Sequence, residues 1–396
     1  MENLRYTSWL KVAFLIFVVI VLVTWLAKAP MPVDDFVEYW AASRLLWTGE
    51  NPYSPELMGA LQKSVGWQSE TPLMMLNPPW TLFLVLPFGQ MGYSTARLVW
   101  LLLNLLLTAF SLHWGWRLYR GHIKNRWVAY GLGLSFVPGL VTLFLGQISA
   151  FVAAGLVGFL LCLDRGKYRW AGACLLLVAV KPHLLYLFWP ALLLWSLLHR
   201  NFRLCWGGGL AGLLATSAVV FLQPEVVSYY VRMMSQEPPH HQWVTPTFGT
   251  LLRLFLGMDH TVLQFVPMGL GIGWLVLYWR RCRQCWNWQA HTPMLLLVSL
   301  ATTSFAWVFD QIVLLPALIQ VAVWVSQNWQ QTKSRITLLV YFLINGFLVV
   351  SIYLRWGVLG FLWVAPAWLL VYVFLSRPST NAISSVTSDC RIQPLA

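Results

Sequence analysis

Ile336–Tyr353 reads ITLLVYFLINGFLVVSIY, a stretch without a charge, preceded on its N-terminal side by Lys333 and Arg335. A helix rising about 1.5 Å per residue needs roughly 20 such residues to cross the hydrocarbon of a bilayer. Runs of the same character recur outward from it, among them Trp9–Leu26, Val99–Trp114 and Leu204–Leu222. The chain of 396 residues is 59% hydrophobic and 10% charged, with a mean hydropathy of +0.65. A soluble domain so poor in charge would not stay dispersed, so the reading is an all-α, polytopic integral membrane protein. Its net charge of +13 sits in short loops between the apolar runs and not in a basic domain. That placement follows the positive-inside rule and argues against a nucleic-acid partner, and the 25 Trp suit interfacial belts.

With the basic loops taken as cytoplasmic, helix pairs are expected at 127–144 with 147–163, 169–180 with 183–198, 204–222 with 261–279, 291–307 with 310–326, and 336–354 with 356–376. The first run is read as an uncleaved anchor, 94–116 as a span, and 73–90 as re-entrant or surface-lying, about 12 spans in all. This makes residues 1–376 one membrane domain with long outer loops at 30–72 and 223–260. The Ser/Thr-rich 377–396 is expected to be a disordered cytoplasmic tail. Eighteen of the 26 Lys and Arg then lie inside, while ten of the 13 acids lie outside. Acids have little effect on topology, so their enrichment is a separate sign that the outer face holds a site.

Polar groups at helix ends in apolar surroundings are costly and mark cavities. Asp34 and Asp35 follow the first run. One of them caps the helix expected from there to about Trp47, and one suits a general base for a hydroxyl proton. Arg44 on that helix is either a phosphate contact or a snorkelling interfacial arginine. Lys181-Pro182-His183 breaks the backbone between two apolar runs; the proline explains the turn, and Lys181 with His183 could hold a phosphate. Gly146-Gln147 is another polar tip. His240, His241 and Arg253 lie in a loop rich in donors and aromatics, without the spacing of a zinc site. Asp310 between two apolar runs either caps the following helix or faces the cavity. No metal or cofactor is expected. Cys282 and Cys285 form a lone CxxC without a second ligand pair.

In order along the chain stand Asp35-Phe36 with Tyr39, Gly49, Asn51-Pro52-Tyr53, Asn77-Pro78-Pro79, Gly146-Gln147, Lys181-Pro182-His183, Thr247-Phe248-Gly249 with Arg253, and Trp307 through Asp310. Each piece is short, but the ordered set resembles glycosyltransferase family 87. These are membrane enzymes of the GT-C superfamily that include mycobacterial polyprenyl-phosphate-dependent mannosyltransferases. The chain departs from the family where Ser304-Phe305 replaces a frequent Ser-Pro. The resemblance implies a GT-C-like fold in a bacterial inner membrane with the active site facing the exterior. It implies a polyprenyl-phosphate sugar donor, while members of the family differ in sugar and acceptor; the reading adopted is inverting transfer of a mannose-like hexose to a lipid or glycan acceptor. Asp35 would be the base, with Asp34 or Asp310 tuning it. Lys181, His183, Arg44, Arg253, His240, His241, Gln147, Asp310 and Tyr39 would hold the donor. The alternatives are a polysaccharide polymerase or ligase, or a lipid or solute transporter.

Overall fold

The computed structural model describes residues 33–236 and 243–376, and among these every regular element is a helix. On the N-terminal side are α1 (Phe36–Trp47), α2 (Pro55–Ser64), α3 (Trp80–Val85), α4 (Tyr93–Leu118), α5 (Trp127–Ser135), α6 (Val137–Phe144), α7 (Ser149–Asp164), α8 (Tyr168–Val178) and α9 (Phe188–Leu198). There follow α10 (Arg203–Leu222), α11 (Val226–Gln236), α12 (Phe248–Leu256), α13 (Val266–Cys282), α14 (Trp288–Thr302), α15 (Leu315–Gln327), α16 (Thr332–Tyr353) and α17 (Val364–Ser376). The protein is a polytopic all-α membrane protein.

The number of spans differs from the expected dozen. Six described helices are long and apolar enough to cross: Tyr93–Leu118, Arg203–Leu222, Thr261–Cys285, Val308–Gln327, Thr332–Tyr353 and Val358–Leu375. The first apolar run lies outside the described residues. The expected span over 127–144 is bent by 59° between α5 and α6. Pro138 cannot extend α5 through this point, and the Val137 N–H at the break donates to Asn345 Oδ1 at 2.8 Å. Helices α7, α8 and α9 are 16, 11 and 11 residues long, stopped by the turns at Gln147 and Lys181 and by the basic loops. Hydrophobic runs expected as helix pairs are therefore short helices, of which α7 is mostly packed inside the protein while α8 and α9 each leave an apolar face partly exposed.

The segment 73–90 is too short to cross, in keeping with the sequence expectation. It packs beneath α1, where Trp47 Nε1 donates to Leu86 O at 2.7 Å and Trp40 Nε1 to Met91 O at 3.0 Å. A Cβ on Gly89 would lie 2.6 Å from the Ser43 backbone, so only glycine permits this approach. Helix α1 is consequently buried on nearly all sides, with Phe36, Tyr39, Ala41 and Ala42 fully enclosed. Its aromatic face meets Trp100 of α4, whose ring centroid lies 5.2 Å from Phe36 and 5.5 Å from Tyr39. Residues of the loop at 30–72 thereby become part of the core, and this carries Asp35 to the polar turns.

Candidate active site

The turn after α6 is where the site begins. Gly146 adopts φ +67°, and a Cβ there would lie 2.8 Å from Phe36 Cβ and 3.1 Å from Asp34 Oδ1. A side chain would be strained by its backbone and would also push α1 away. Trp100 Nε1 donates to Gly146 O at 2.7 Å, while Arg97 donates through Nη2 to Leu143 O and Phe144 O at 3.2 and 3.1 Å. These contacts fix the turn and direct the next residue, Gln147, at α1.

Gln147 is the hub. Its Oε1 accepts from Lys181 Nζ at 3.0 Å and from Tyr39 Oη at 3.2 Å. Two donors on one side of the amide set its orientation, so Nε2 faces Asp35 and donates to Oδ2 at 2.8 Å. Lys181 Nζ also pairs with Asp310 Oδ1 at 2.7 Å and lies 4.9 Å from the Phe309 ring. Asp310 is saturated: Ser149 Oγ donates to Oδ1 at 2.7 Å and the Trp307 N–H to Oδ2 at 2.9 Å. It thus caps the turn before α15 and at the same time joins the cluster. Five residues singled out from the sequence (Asp35, Tyr39, Gln147, Lys181 and Asp310) therefore form one hydrogen-bonded network.

The two neighbouring aspartates have separate roles. Asp34 makes a charge-assisted pair with Arg97 at 2.5 Å and accepts from the Phe36 N–H at 3.1 Å, so it secures the start of α1. Burial pushes its carboxyl up to about 6, with the Arg97 guanidinium pulling the other way. Asp35 makes no capping bond. Only its Oδ2 is held; Oδ1 makes no hydrogen bond among the described residues. Burial raises the Asp35 carboxyl above its ordinary range, and Gln147 and the Lys181 charge temper the rise.

Sequence reasoning passed over three residues. Glu38, half-buried and one turn beyond Asp35, is pushed up to about 8 by burial and by the Asp35 carboxylate. Its position at i+3 on the same helix face was the available signal. Arg97 sits in an apolar run, where an arginine requires a partner, and that requirement pointed to a nearby acid. Ser149 had no distinguishing pattern.

Other expected site residues lie elsewhere. Arg44 is exposed and donates to Gly89 O at 3.1 Å, bracing α1 against 86–90. Arg253 is buried and binds Met258 O through Nε and Nη2 at 3.1 and 2.7 Å, and Gln264 Oε1 through Nη1 at 3.3 Å. Gln264 and Thr247 in turn hold Ser304 O, which braces the approach to Asp310. His183 is exposed next to the cluster, and its carbonyl accepts from Thr303 Oγ1 at 3.1 Å. His240 and His241 lie outside the described residues.

This arrangement is a desolvated carboxylate with one free oxygen, held by an amide that a buried ion pair orients. It is suited to accepting a proton from a bound hydroxyl. No curated protein and no solved structure matches the chain. The family model of glycosyltransferase family 87 matches residues 75–310, spanning Gln147, Lys181 and Asp310 and beginning beyond α1. With more than half of its length matched and the polar turns of that region converging on one carboxylate, this membrane protein belongs to glycosyltransferase family 87.

Proposed function

We propose that the protein transfers a mannose-like hexose, with inversion, from a polyprenyl-phosphate donor to a lipid or glycan hydroxyl at the outer face of a bacterial inner membrane. The observation that carries this reading is the half-held Asp35, with Oδ2 fixed by Gln147 and Oδ1 uncommitted. Oδ1 takes the proton of the acceptor hydroxyl as that oxygen attacks the anomeric carbon. The bond from that carbon to the phosphate oxygen breaks, and its electron pair leaves with polyprenyl phosphate. Lys181 uses two of its three N–H groups on Gln147 and Asp310, which leaves one for the departing phosphate. The exposed His183 stands two residues away. Asp310 and Asp34, saturated by protein partners, position other groups and do not touch sugar.

The reading is tested with purified protein and a polyprenyl-phosphate hexose, by following release of polyprenyl phosphate without ATP or an ion gradient. Asp35→Asn should lower that rate by about a hundred- to ten-thousandfold, the usual contribution of a general base. Near-normal turnover in this variant would remove the assignment. The proposed orientation has its own check in intact spheroplasts. A cysteine at exposed Glu56 should react with an impermeant thiol reagent, and cysteines at exposed Lys124 and Arg335 should react only after permeabilisation.

A further inference from the structure

A cavity of about 700 Å³ opens between α5, α15, α16 and α17. It lies away from the catalytic cluster: the turn bearing Asp310 precedes α15, whereas the cavity is lined by that helix from Leu318 to Ser326. Its walls are mostly apolar, and Asn125, just before α5, and Ser326 and Trp329, at and just after the end of α15, are among its lining residues. Trp368, buried to 2% exposure, also lines it, and its indole N–H has no hydrogen-bond partner.

The charge around the Asn125 end narrows the ligand further. Lys124 and Arg126, on either side of Asn125, are exposed and have no ion-pair partner among the described residues. Arg126 and Arg117 also line a smaller cavity of about 60 Å³ on the other side of α5, with His113 and Tyr130. Lys333, one turn before the cavity-lining Thr337 on α16, has its ammonium 5.1 Å from the Phe374 ring and donates to Leu375 O at 3.1 Å. Two adjacent spaces, one apolar and long, one small and lined by two guanidiniums, suit a molecule with hydrocarbon chains and an anionic head.

We propose that this cavity binds an anionic phospholipid of the leaflet opposite the catalytic cluster. Its acyl chains lie between α5, α15, α16 and α17, and its phosphate faces Arg126, Arg117 and Lys124. Arginine suits phosphate through paired N–H bonds, and neighbouring lysine adds attraction near the membrane surface.

The test is native mass spectrometry of delipidated full-length protein, titrated with phosphatidylglycerol and, separately, with phosphatidylcholine of equal chain length. One phosphatidylglycerol should be retained in preference to phosphatidylcholine. The double variant Lys124→Gln/Arg126→Gln should weaken its binding about 30-fold, since each basic residue near a lipid phosphate is worth roughly fivefold. Gly131→Leu is the steric arm: Gly131 lines the cavity and a Cβ there meets nothing within 4 Å, so the larger side chain fills space without a clash at its root. It should lower retention of the lipid while thermal unfolding stays unchanged. Equal retention of the two lipids, undiminished binding in the double variant, or full binding in a folded Gly131→Leu protein would each overturn the proposal. So would tighter retention of polyprenyl phosphate than of phosphatidylglycerol, or a gain in lipid binding on deleting residues 1–32, which would assign the space to the donor lipid or to this chain.

Discussion

Helices α6 to α9 and helices α10, α13, α16 and α17 are all drawn from apolar sequence, yet they end differently. The second group belongs to long spans, and the most apolar windows of Arg203–Leu222 and Val358–Leu375 are only 17% and 22% buried within the protein. The first group is interrupted within one or a few turns of Gly146, Gln147 and Lys181. Val308–Gln327, whose first turn carries Asp310, joins them, with 78% of its window buried. Lipid offers no partner to an open backbone N–H or carbonyl, so a helix in contact with it has to run unbroken. Where its end is enclosed by protein a helix can stop, as at the buried turns of Gln147 and Lys181, and that end becomes a place for a polar side chain. The candidate site lies in the half that could be broken.

Breaking the ion pair at the centre of that half tests the contrast most severely. Lys181→Met leaves Asp310 buried at 2% exposure with its charge uncompensated. Loss of one partner from a buried pair costs about 3–5 kcal/mol, so a clear fall in thermal unfolding temperature is expected, together with loss of transfer as Gln147 is released. A variant with unchanged melting would show that the cluster is wet and not packed. In the long-helix half, Leu339→Ala at a lipid-facing position should change melting by less than about 0.5 kcal/mol.

The adjacent aspartates offer a sharper form of the same contrast. Asp34→Asn takes the counter-charge from Arg97, which is 4% exposed, and should destabilise the fold by roughly 3 kcal/mol while sparing much of the turnover measured well below the melting point. Asp35→Asn should do the opposite, leaving melting intact and abolishing turnover. If both variants lose activity and stability alike, the division of roles between the two carboxylates is wrong.

The smallest effect is expected at Glu38. With its carboxyl pushed up to about 8, it is mostly neutral at pH 7 and ionises as pH rises through that value. Glu38→Gln copies the neutral form, so turnover at pH 7 should stay within about twofold, as expected for a group already protonated there. The wild type should show an inflection near pH 8, where a second negative charge appears beside Asp35, and the variant should lack it. For Asp35 the sign is opposite: the base works ionised, so turnover falls as pH drops through its raised pKa. A Glu38→Gln profile identical to that of the wild type would remove Glu38 from the titration.

Much of this arrangement was legible in the sequence, because polar residues at the tips of apolar runs have few places to go. Asp35, Gln147, Lys181 and Asp310 were visible for that reason, and so was the helix up to Trp47. Hydropathy could not separate a helix that faces lipid from one that faces protein, since both need apolar side chains; hence α7 read as a full span, whereas the pair over 169–198 is visibly short for two crossings from its length alone. Nor could it tell cations that bind within the protein from those available to a ligand. Arg253 and Arg44 looked like phosphate contacts and are occupied by main-chain carbonyls, which leave no mark in the sequence.

The hub at Gln147 also has a consequence in time. Its partners stand at 35, 39 and 181, and the last anchor of the network is at 310. A chain emerging from the ribosome at about 5–20 residues per second inserts Asp35 early and completes the support for Gln147 only after Asp310 has arrived, some tens of seconds later. Throughout that interval the carboxylate is in the membrane without its orienting amide fixed. The network is therefore incomplete until about four-fifths of the chain is in place, so an interrupted translation product carries Asp35 without the cluster that orients it.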